Sequence, residues 1–238
     1  MNIALIGYGK MGKAIEEIAL QRGHHISARI NEDNLGDFNA GHLAGTDVAI
    51  EFTSPHSAFS NITSLLQWGI PVVCGSTGWT EQLPTVEDLC RKHQGAFLYA
   101  SNFSVGVNLF FELNKKLAAL MASHPEYDVV MEEIHHTQKK DAPSGTAITL
   151  AEQVLQQVTR KKNWVNEPAT DASQLAIISK REDPAPGTHS IRYTSSIDDI
   201  EIIHTAHSRK GFASGAVVAA EFLKGKTGIF SMKEVLGL

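Results

Sequence analysis

Two histidines, two lysines and a Ser-Gly-Thr turn fall together in the segment Glu-Ile-His-His-Thr-Gln-Lys-Lys-Asp-Ala-Pro-Ser-Gly-Thr-Ala, from Glu133 to Ala147. Imidazole and ammonium groups carry mobile protons, and His135, His136, Lys139 and Lys140 concentrate them directly ahead of an apolar-periodic helix. The first turn of a helix has N–H groups without intrahelical acceptors and a partial positive charge, so Gly145 and Thr146 offer backbone donors to an anion. The segment thus has the parts of a site that grips a small acidic molecule and exchanges protons with it. His135 and Lys139 lie four residues apart and can converge on one ligand from a loop. Taken singly, His136 serves equally as a hydrogen-bonded structural histidine and Lys140 as a solvated charge. Arg209 could pair bidentately with a carboxylate or form a surface ion pair.

A second constellation opens the chain. Ile3 to Ile6 is an apolar run suited to a strand buried on both faces, and Gly7-Tyr8-Gly9-Lys10-Met11-Gly12 follows at once. Gly-x-Gly-x-x-Gly between a strand and a helix is a dinucleotide-binding turn. Gly7 permits the turn, Gly9 lets the backbone approach a pyrophosphate, and Gly12 allows close helix packing. The residue that meets the ribose is expected about 20 residues later, where Asn31-Glu32-Asp33 stands after the strand His25 to Ile30. Asn31 can hydrogen-bond a ribose hydroxyl without repelling a 2′-phosphate, whereas Glu32 and Asp33 disfavour NADPH if they face it. At this point either NADH or NADPH remains open.

The elements that must position these residues follow from periodicity. Met11, Ala14, Ile15, Ile18 and Ala19 recur at helical spacing until Gly23. Further strands read at Asp47 to Thr53, Pro71 to Cys74 and Phe97 to Ala100, and Ser54-Pro55 opens a helix between the first two. Strands separated by helices through residue 103 imply a parallel, doubly wound sheet. Ligands sit at the carboxyl ends of such strands, so the turns after Ile6, Ile30, Cys74 and Ala100 are expected to share one crevice. Asn102 could bond a nicotinamide amide or cap the helix that starts near Val105, and Thr53 and Thr77 have the same dual character. Beyond residue 104 the pattern changes to a long helix, about Val105 to Ser123, an alternating strand from Tyr127 to Ile134 and a helix from Thr146 to Val158. Ala176 to Ser179, His189 to Ser195 and Asp199 to His207 then run strand to strand, which favours an antiparallel or mixed sheet. A last helix, about Phe212 to Lys224, could return to cover the first domain.

Composition narrows the function classes. A chain of 238 residues with 42% hydrophobic and 20% charged residues suits a globular protein of one or two domains. A net charge of −5 argues against general nucleic-acid binding, which needs a basic face. Cys74 and Cys90 form no ligand spacing and read as reduced structural thiols. His204 and His207, an odd number apart on an expected strand, point to opposite faces, and with no Cys/His set no metal is expected. The N-terminal apolar run is too short for a signal peptide and no window spans a membrane, so a cytoplasmic protein without membrane contact is expected.

The segment from Glu133 to Ala147 closely resembles the dihydrodipicolinate reductase (4-hydroxy-tetrahydrodipicolinate reductase) family of bacterial lysine biosynthesis. The resemblance extends to Gly7 to Gly12, Glu51-Phe52-Thr53, Gly75-Ser76-Thr77-Gly78, Ala100 to Asn108 and His207-Ser208-Arg209. It implies an α/β chain with a Rossmann-type doubly wound domain, residues 1–104 plus 210–238, and an α+β substrate-binding and oligomerisation domain, residues 105–209, built on a mixed or antiparallel sheet. It implies NADH- or NADPH-dependent reduction of a cyclic dicarboxylate, and a homotetramer. Carried over by motif, His135 becomes a proton donor or acceptor and Lys139 the proton donor, while His136, Gly145 and Thr146 bind substrate carboxylates. Gly7, Tyr8, Gly9, Lys10, Met11, Gly12, Asn31, Gly75, Ser76, Thr77, Ala100, Ser101, Asn102 and Phe103 become coenzyme contacts. The glycine turn is one residue shorter than in many members, and Asn31-Glu32 replaces a common acidic-then-basic pair. A dehydrogenase that reduces an aldehyde would need a base beside a thiol, which neither cysteine has. A nonenzymatic NAD(H) sensor would not need clustered proton donors.

Overall fold

The computed structural model describes residues 1–208 and 210–238; Arg209 lies outside the described residues. In chain order the elements are β1 (Asn2–Ile6), α1 (Lys10–Gln21), β2 (His25–Ile30), β3 (Val48–Glu51), α2 (Pro55–Gln67), β4 (Val72–Cys74), α3 (Leu83–Lys92), β5 (Ala96–Tyr99), α4 (Val105–Met121), β6 (Asp128–His135) and α5 (Gly145–Gln157). They continue with β7 (Asn163–Val165), β8 (Gln174–Arg181), β9 (Gly187–Thr194), β10 (Asp199–Ala206), α6 (Lys210–Leu223), β11 (Gly228–Phe230) and α7 (Met232–Leu236). The chain divides into two compact units, one made of Met1–Val105 with Lys210–Leu238 and the other of the segment between them.

The first unit is a six-stranded sheet in the order β11-β5-β4-β3-β1-β2, with every pairing parallel. Its inner strands β1, β3, β4 and β5 are largely apolar on both faces because helices cover both. Ile3, Leu5, Val48 and Ile50 pack on α1 and α6, while Ala4, Ile6, Ala49 and Val72 pack on α2 and α3. α6 is so closely seated that a Cβ on Gly215 would stand 1.7 Å from the Phe103 carbonyl oxygen. The strand order reverses at β1, between β2 and β3, and the crevice at such a reversal is where doubly wound sheets take their ligands.

The second unit is a mixed sheet, β10-β9-β6-β8-β7, in which β6, β8 and β7 run parallel and β9 opposes both β6 and β10. Val129, Met131, Leu175, Ile177, Ile191 and Tyr193 form the face that α4 and α5 bury. Sequence periodicity shows the strands at β8, β9 and β10 but neither of two short ones. β7 lies in the polar stretch between α5 and β8, and β11 is half-buried and pairs with β5. Both cysteines are free and buried. Among the described residues no helix is long and apolar enough to cross a membrane.

Candidate functional site

In the first unit the glycine turn is fixed by sterics. Gly7 has φ +97°, and a Cβ there would lie 2.0 Å from the Phe52 carbonyl oxygen, so only glycine lets β1 pass this close to the end of β3. A Cβ on Gly12 would meet the Gly7 carbonyl oxygen at 2.4 Å, which seats α1 against the turn. Gly9 is different, because a Cβ there meets nothing within 4 Å. It is the N-cap of α1 and no side chain caps the helix, so the first amides remain available to an anion. Tyr8 is pinned by its hydroxyl to Glu16, which also accepts from Arg29 Nε at 2.9 Å.

Around this turn lies a cleft of about 590 Å³ lined by Gly7, Tyr8, Gly9, Asn31, Glu32, Asp33, Phe52, Thr53 and Asn61 among others. A second, of about 380 Å³, is lined by Gly9, Lys10, Met11, Thr53, Gly75, Ser76 and Thr77. The turns after β1, β2, β3 and β4 therefore meet here. Ser76 Oγ accepts from the Thr53 N–H at 2.8 Å and ties two of them together. Ala100, Ser101 and Asn102 line neither cleft among the described residues. Phe103 lines neither of these clefts; it is buried, with its ring 5.6 Å from that of Phe52, which lines both. Asn102 Oδ1 accepts from the Ser104 N–H at 2.9 Å, in the turn just ahead of α4. Asn31 lines the larger cleft, yet its Oδ1 accepts from the Asp33 N–H at 2.9 Å in a capping box with Asn34, which leaves its side-chain NH₂ as the donor to offer a ligand. The glycine cradle, uncapped helix start and small polar turns suit a dinucleotide.

The second unit holds the His/Lys segment. β6 alternates, with Val129, Met131, Glu133 and His135 on its buried face. Registry sets Glu133 opposite His189 on β9 and opposite Ser179 on β8, and sets His135 opposite Arg181. Glu133 is completely buried and collects donors: the Ser144 N–H at 3.1 and 3.2 Å, Ser179 Oγ at 2.7 Å and the Arg181 guanidinium at 3.4 Å. His135 Nδ1 lies 3.4 Å and His189 Nε2 3.7 Å from the same carboxylate. Arg181 also donates to the carbonyl oxygens of Asp141 at 2.6 Å and Lys139 at 3.4 Å, which anchors the loop to the sheet. Lys139 places its ammonium 2.8 Å from both oxygens of Asp141. His136 is half-buried and accepts the Lys139 N–H through its carbonyl oxygen. Ser144 caps α5 by accepting the Ala147 N–H, while Gly145 is exposed with no neighbour near its Cβ position.

Burial is the largest single influence on both central groups, but it decides the direction only for His135. It pushes the His135 imidazole down from 6.5 to about 4; Glu133 pulls upward, and His189, Lys139 and Arg181 push further down. Burial would raise the Glu133 carboxyl, but the nearby His189 imidazole and hydrogen bonds from Ser144 and Ser179 outweigh it and hold the group well below its ordinary 4.5. Both folded values lie below the unfolded ones, so the unfolded chain binds more protons in acid. Stability present above pH 6.5 should fall as pH drops toward about 4 through His135, with a further loss below 4.5 through Glu133. Thermal melts from pH 7 to 4 check this, and a Tm unchanged across that window would contradict it.

Glu133, His135 and His189 also place ligand atoms within 4.8 Å of one another, a possible metal set among the described residues that pairing histidines along the chain does not reveal. Ser144, Ser179 and Arg181 already direct donors at that carboxylate, an arrangement built for hydrogen bonding.

Comparison with known proteins agrees with both halves of the chain. The family model described as dihydrodipicolinate reductase, N-terminus, matches residues 1–103, and the corresponding C-terminus model matches residues 106–236. The chain belongs to the dihydrodipicolinate reductase family. It is 54% identical to the 4-hydroxy-tetrahydrodipicolinate reductase of Christiangramia forsetii, over 99% of this chain and 98% of the relative. It is 37% identical to that of Methanosarcina mazei over the full length of both. Among solved structures it resembles a dipicolinate-bound dihydrodipicolinate reductase from Paenisporosarcina sp. TG-14, with a TM-score of 0.78, 25% identity and 97% of each chain covered.

In this dihydrodipicolinate reductase family member, sequence reasoning omitted Glu133, Arg181, His189 and Gly187 from the site. The first had a readable signal, a carboxylate in phase with Val129 and Met131 on a strand. The other three come from β8 and β9 and join only through sheet register.

Proposed function

We propose that this chain reduces 4-hydroxy-tetrahydrodipicolinate to tetrahydrodipicolinate with NADH or NADPH, in the diaminopimelate route to lysine. The observation that carries the reading is the end of β6 and the loop after it, where a neutral imidazole at His135, the Lys139 ammonium beside Asp141 and the start of α5 at Gly145 and Thr146 follow one another. On this reading Gly7 to Gly12, Asn31 and Gly75 to Thr77 hold the coenzyme, with Ala100 to Phe103 completing the site. When bound, the reduced nicotinamide supplies a hydride to the ring that remains after the substrate loses water. His136 and the N–H groups of Gly145 and Thr146 hold the substrate carboxylates, so that orientation contributes much of the rate. Lys139 delivers the proton the reduced ring then needs, from an ammonium positioned 2.8 Å from both oxygens of Asp141. His135 is neutral at pH 7 and serves as acceptor or relay.

The substrate domain's sheet would build a homotetramer: β10 is an edge strand, and Ile200 and Ile203 on it are exposed. The reading also makes the protein cytoplasmic. The test is coenzyme oxidation in a coupled assay with pyruvate, aspartate semialdehyde and the upstream synthase. Oxidation that depends on the synthase supports this function, and oxidation driven by the aldehyde alone overturns it.

Coenzyme preference follows from the larger cleft. Glu32 and Asp33 line it beside Asn31, and Arg29 is already held by Glu16. A 2′-phosphate brought against two partly solvated carboxylates costs on the order of 1 kcal/mol. NADH should therefore be preferred by roughly 5–10-fold in kcat/KM, and Glu32→Arg should narrow the ratio. Equal kcat/KM values for the two coenzymes in the native enzyme would remove this role from the acidic pair.

A further inference from the structure

Glu133 is a carboxylate where the pattern of β6 calls for a hydrocarbon. It shares the helix-covered face with Val129 and Met131 and has no exposed surface. A buried carboxylate is tolerated only when hydrogen-bonded and paired, and here β8, β9, the loop after β6 and the start of α5 all contribute partners. So many elements converging on one charge point to a task beyond packing.

The geometry around His135 shows what that task is. The ring's Nδ1 is shut off from water and has no hydrogen-bond partner, with Glu133 Oε2 3.4 Å away. On its other side Nε2 faces Gly187, where a Cβ would stand 3.0 Å from that nitrogen. Gly187 has φ +156°, a conformation that also disfavours any side chain. The imidazole is thus turned with one nitrogen toward the carboxylate and the other against the side-chain-free backbone of Gly187. Hydrogen bonds at catalytic imidazoles are commonly long without ligand and tighten when it binds. The same carboxylate accepts the Ser144 N–H, and Ser144 caps α5, so the helix start is fixed in the same frame.

We propose that Glu133 is a positioning residue: its carboxylate keeps the His135 proton on Nδ1, leaving Nε2 as the acceptor, and through Ser144 it holds the first turn of α5 in register with that nitrogen. The inference rests on the reading of His135 as a proton-transfer group. The charged and titratable groups around that imidazole are Glu133 on its own strand, His189 on β9, Arg181 on β8 and Lys139 in the following loop. Glu133 is the one among them that favours a proton on the ring.

Two substitutions separate charge from shape. Glu133→Gln keeps the shape and loses the charge, whereas Glu133→Asp keeps the charge and retracts it by one methylene. A positioning carboxylate predicts that the Gln variant loses roughly 10²-fold in kcat with the coenzyme KM unchanged, and that Asp restores part of the loss. The acid limb of the kcat/KM profile should also move to lower pH in the Gln variant, because the carboxylate no longer raises the imidazole's proton affinity. A merely structural role predicts the opposite order, with Gln at least as active as Asp. Imidazole ¹⁵N spectra of the unmodified enzyme at neutral pH test the tautomer without any substitution and decide the matter even if a variant does not fold. A His135 proton on Nε2, or full kcat in Glu133→Gln, overturns the proposal. Full activity in His135→Ala would instead overturn the underlying reading of the site.

Discussion

Alanine at Lys139 or at His135 is expected to lower turnover by ~10²–10⁴-fold, the range for a lost proton-transfer group, while coenzyme affinity stays nearly intact. The two substitutions remove different things. On the proposed reading Lys139, paired with Asp141, is the acid, so Lys139→Ala deletes it. His135 is neutral near pH 7, because burial outweighs the attraction of Glu133, so His135→Ala deletes an acceptor or relay. Neither side chain lines the clefts around the glycine turn, which is why coenzyme binding should survive. The double variant should be little worse than the more damaged single one, since groups that act on one proton do not contribute additively. Steady-state kcat with reduced-coenzyme titrations by fluorescence separates the two quantities. Unchanged kcat in both single variants would remove them from the chemistry.

The parts of this site that were legible in the sequence share a physical property: their signal is local. A buried strand followed by glycines at fixed spacing needs no partner to be read, because a backbone turn imposes it. The same holds for Ser144, Gly145 and Thr146, where a capping hydroxyl opens an apolar-periodic helix. What sequence could not supply was the partner that makes each requirement strict. Gly7 must be glycine because of the Phe52 carbonyl, which comes from a different strand. Glu133 is stable in the core because Ser179 and His189 arrive through the register of β8 and β9. Asn31 illustrates the converse. Read as a ribose contact, it spends its oxygen on the turn that follows, and the second asparagine at position 34 was the visible hint of that capping box. β11 left no pattern at all, since its three half-buried residues are set by pairing with β5 and by the helices packed beside it.

Gly9 gives the cleanest test of the coenzyme cradle because it is the glycine of the turn that the fold itself does not need. Gly7 and Gly12 would clash with backbone if they carried a side chain, so substitution there confounds folding with binding. At Gly9 the backbone is extended, with φ −88°, and the Cβ position is open for 4 Å around. A side chain there projects into the space lined by Thr53 in both clefts, and in front of the uncapped start of α1. A pyrophosphate approaching those amides needs that space. Gly9→Leu should therefore leave Tm within a degree or two of the native value on general grounds for exposed sites. It should weaken reduced-coenzyme binding by roughly 10–10²-fold, as expected when 1–3 kcal/mol of steric overlap enters a fitted contact. Substrate-analogue binding should be spared, because the proposed carboxylate donors belong to α5 and the loop before it. Calorimetric titration of the two ligands against one variant reads both effects, and native coenzyme affinity in Gly9→Leu would mean that the phosphates lie elsewhere.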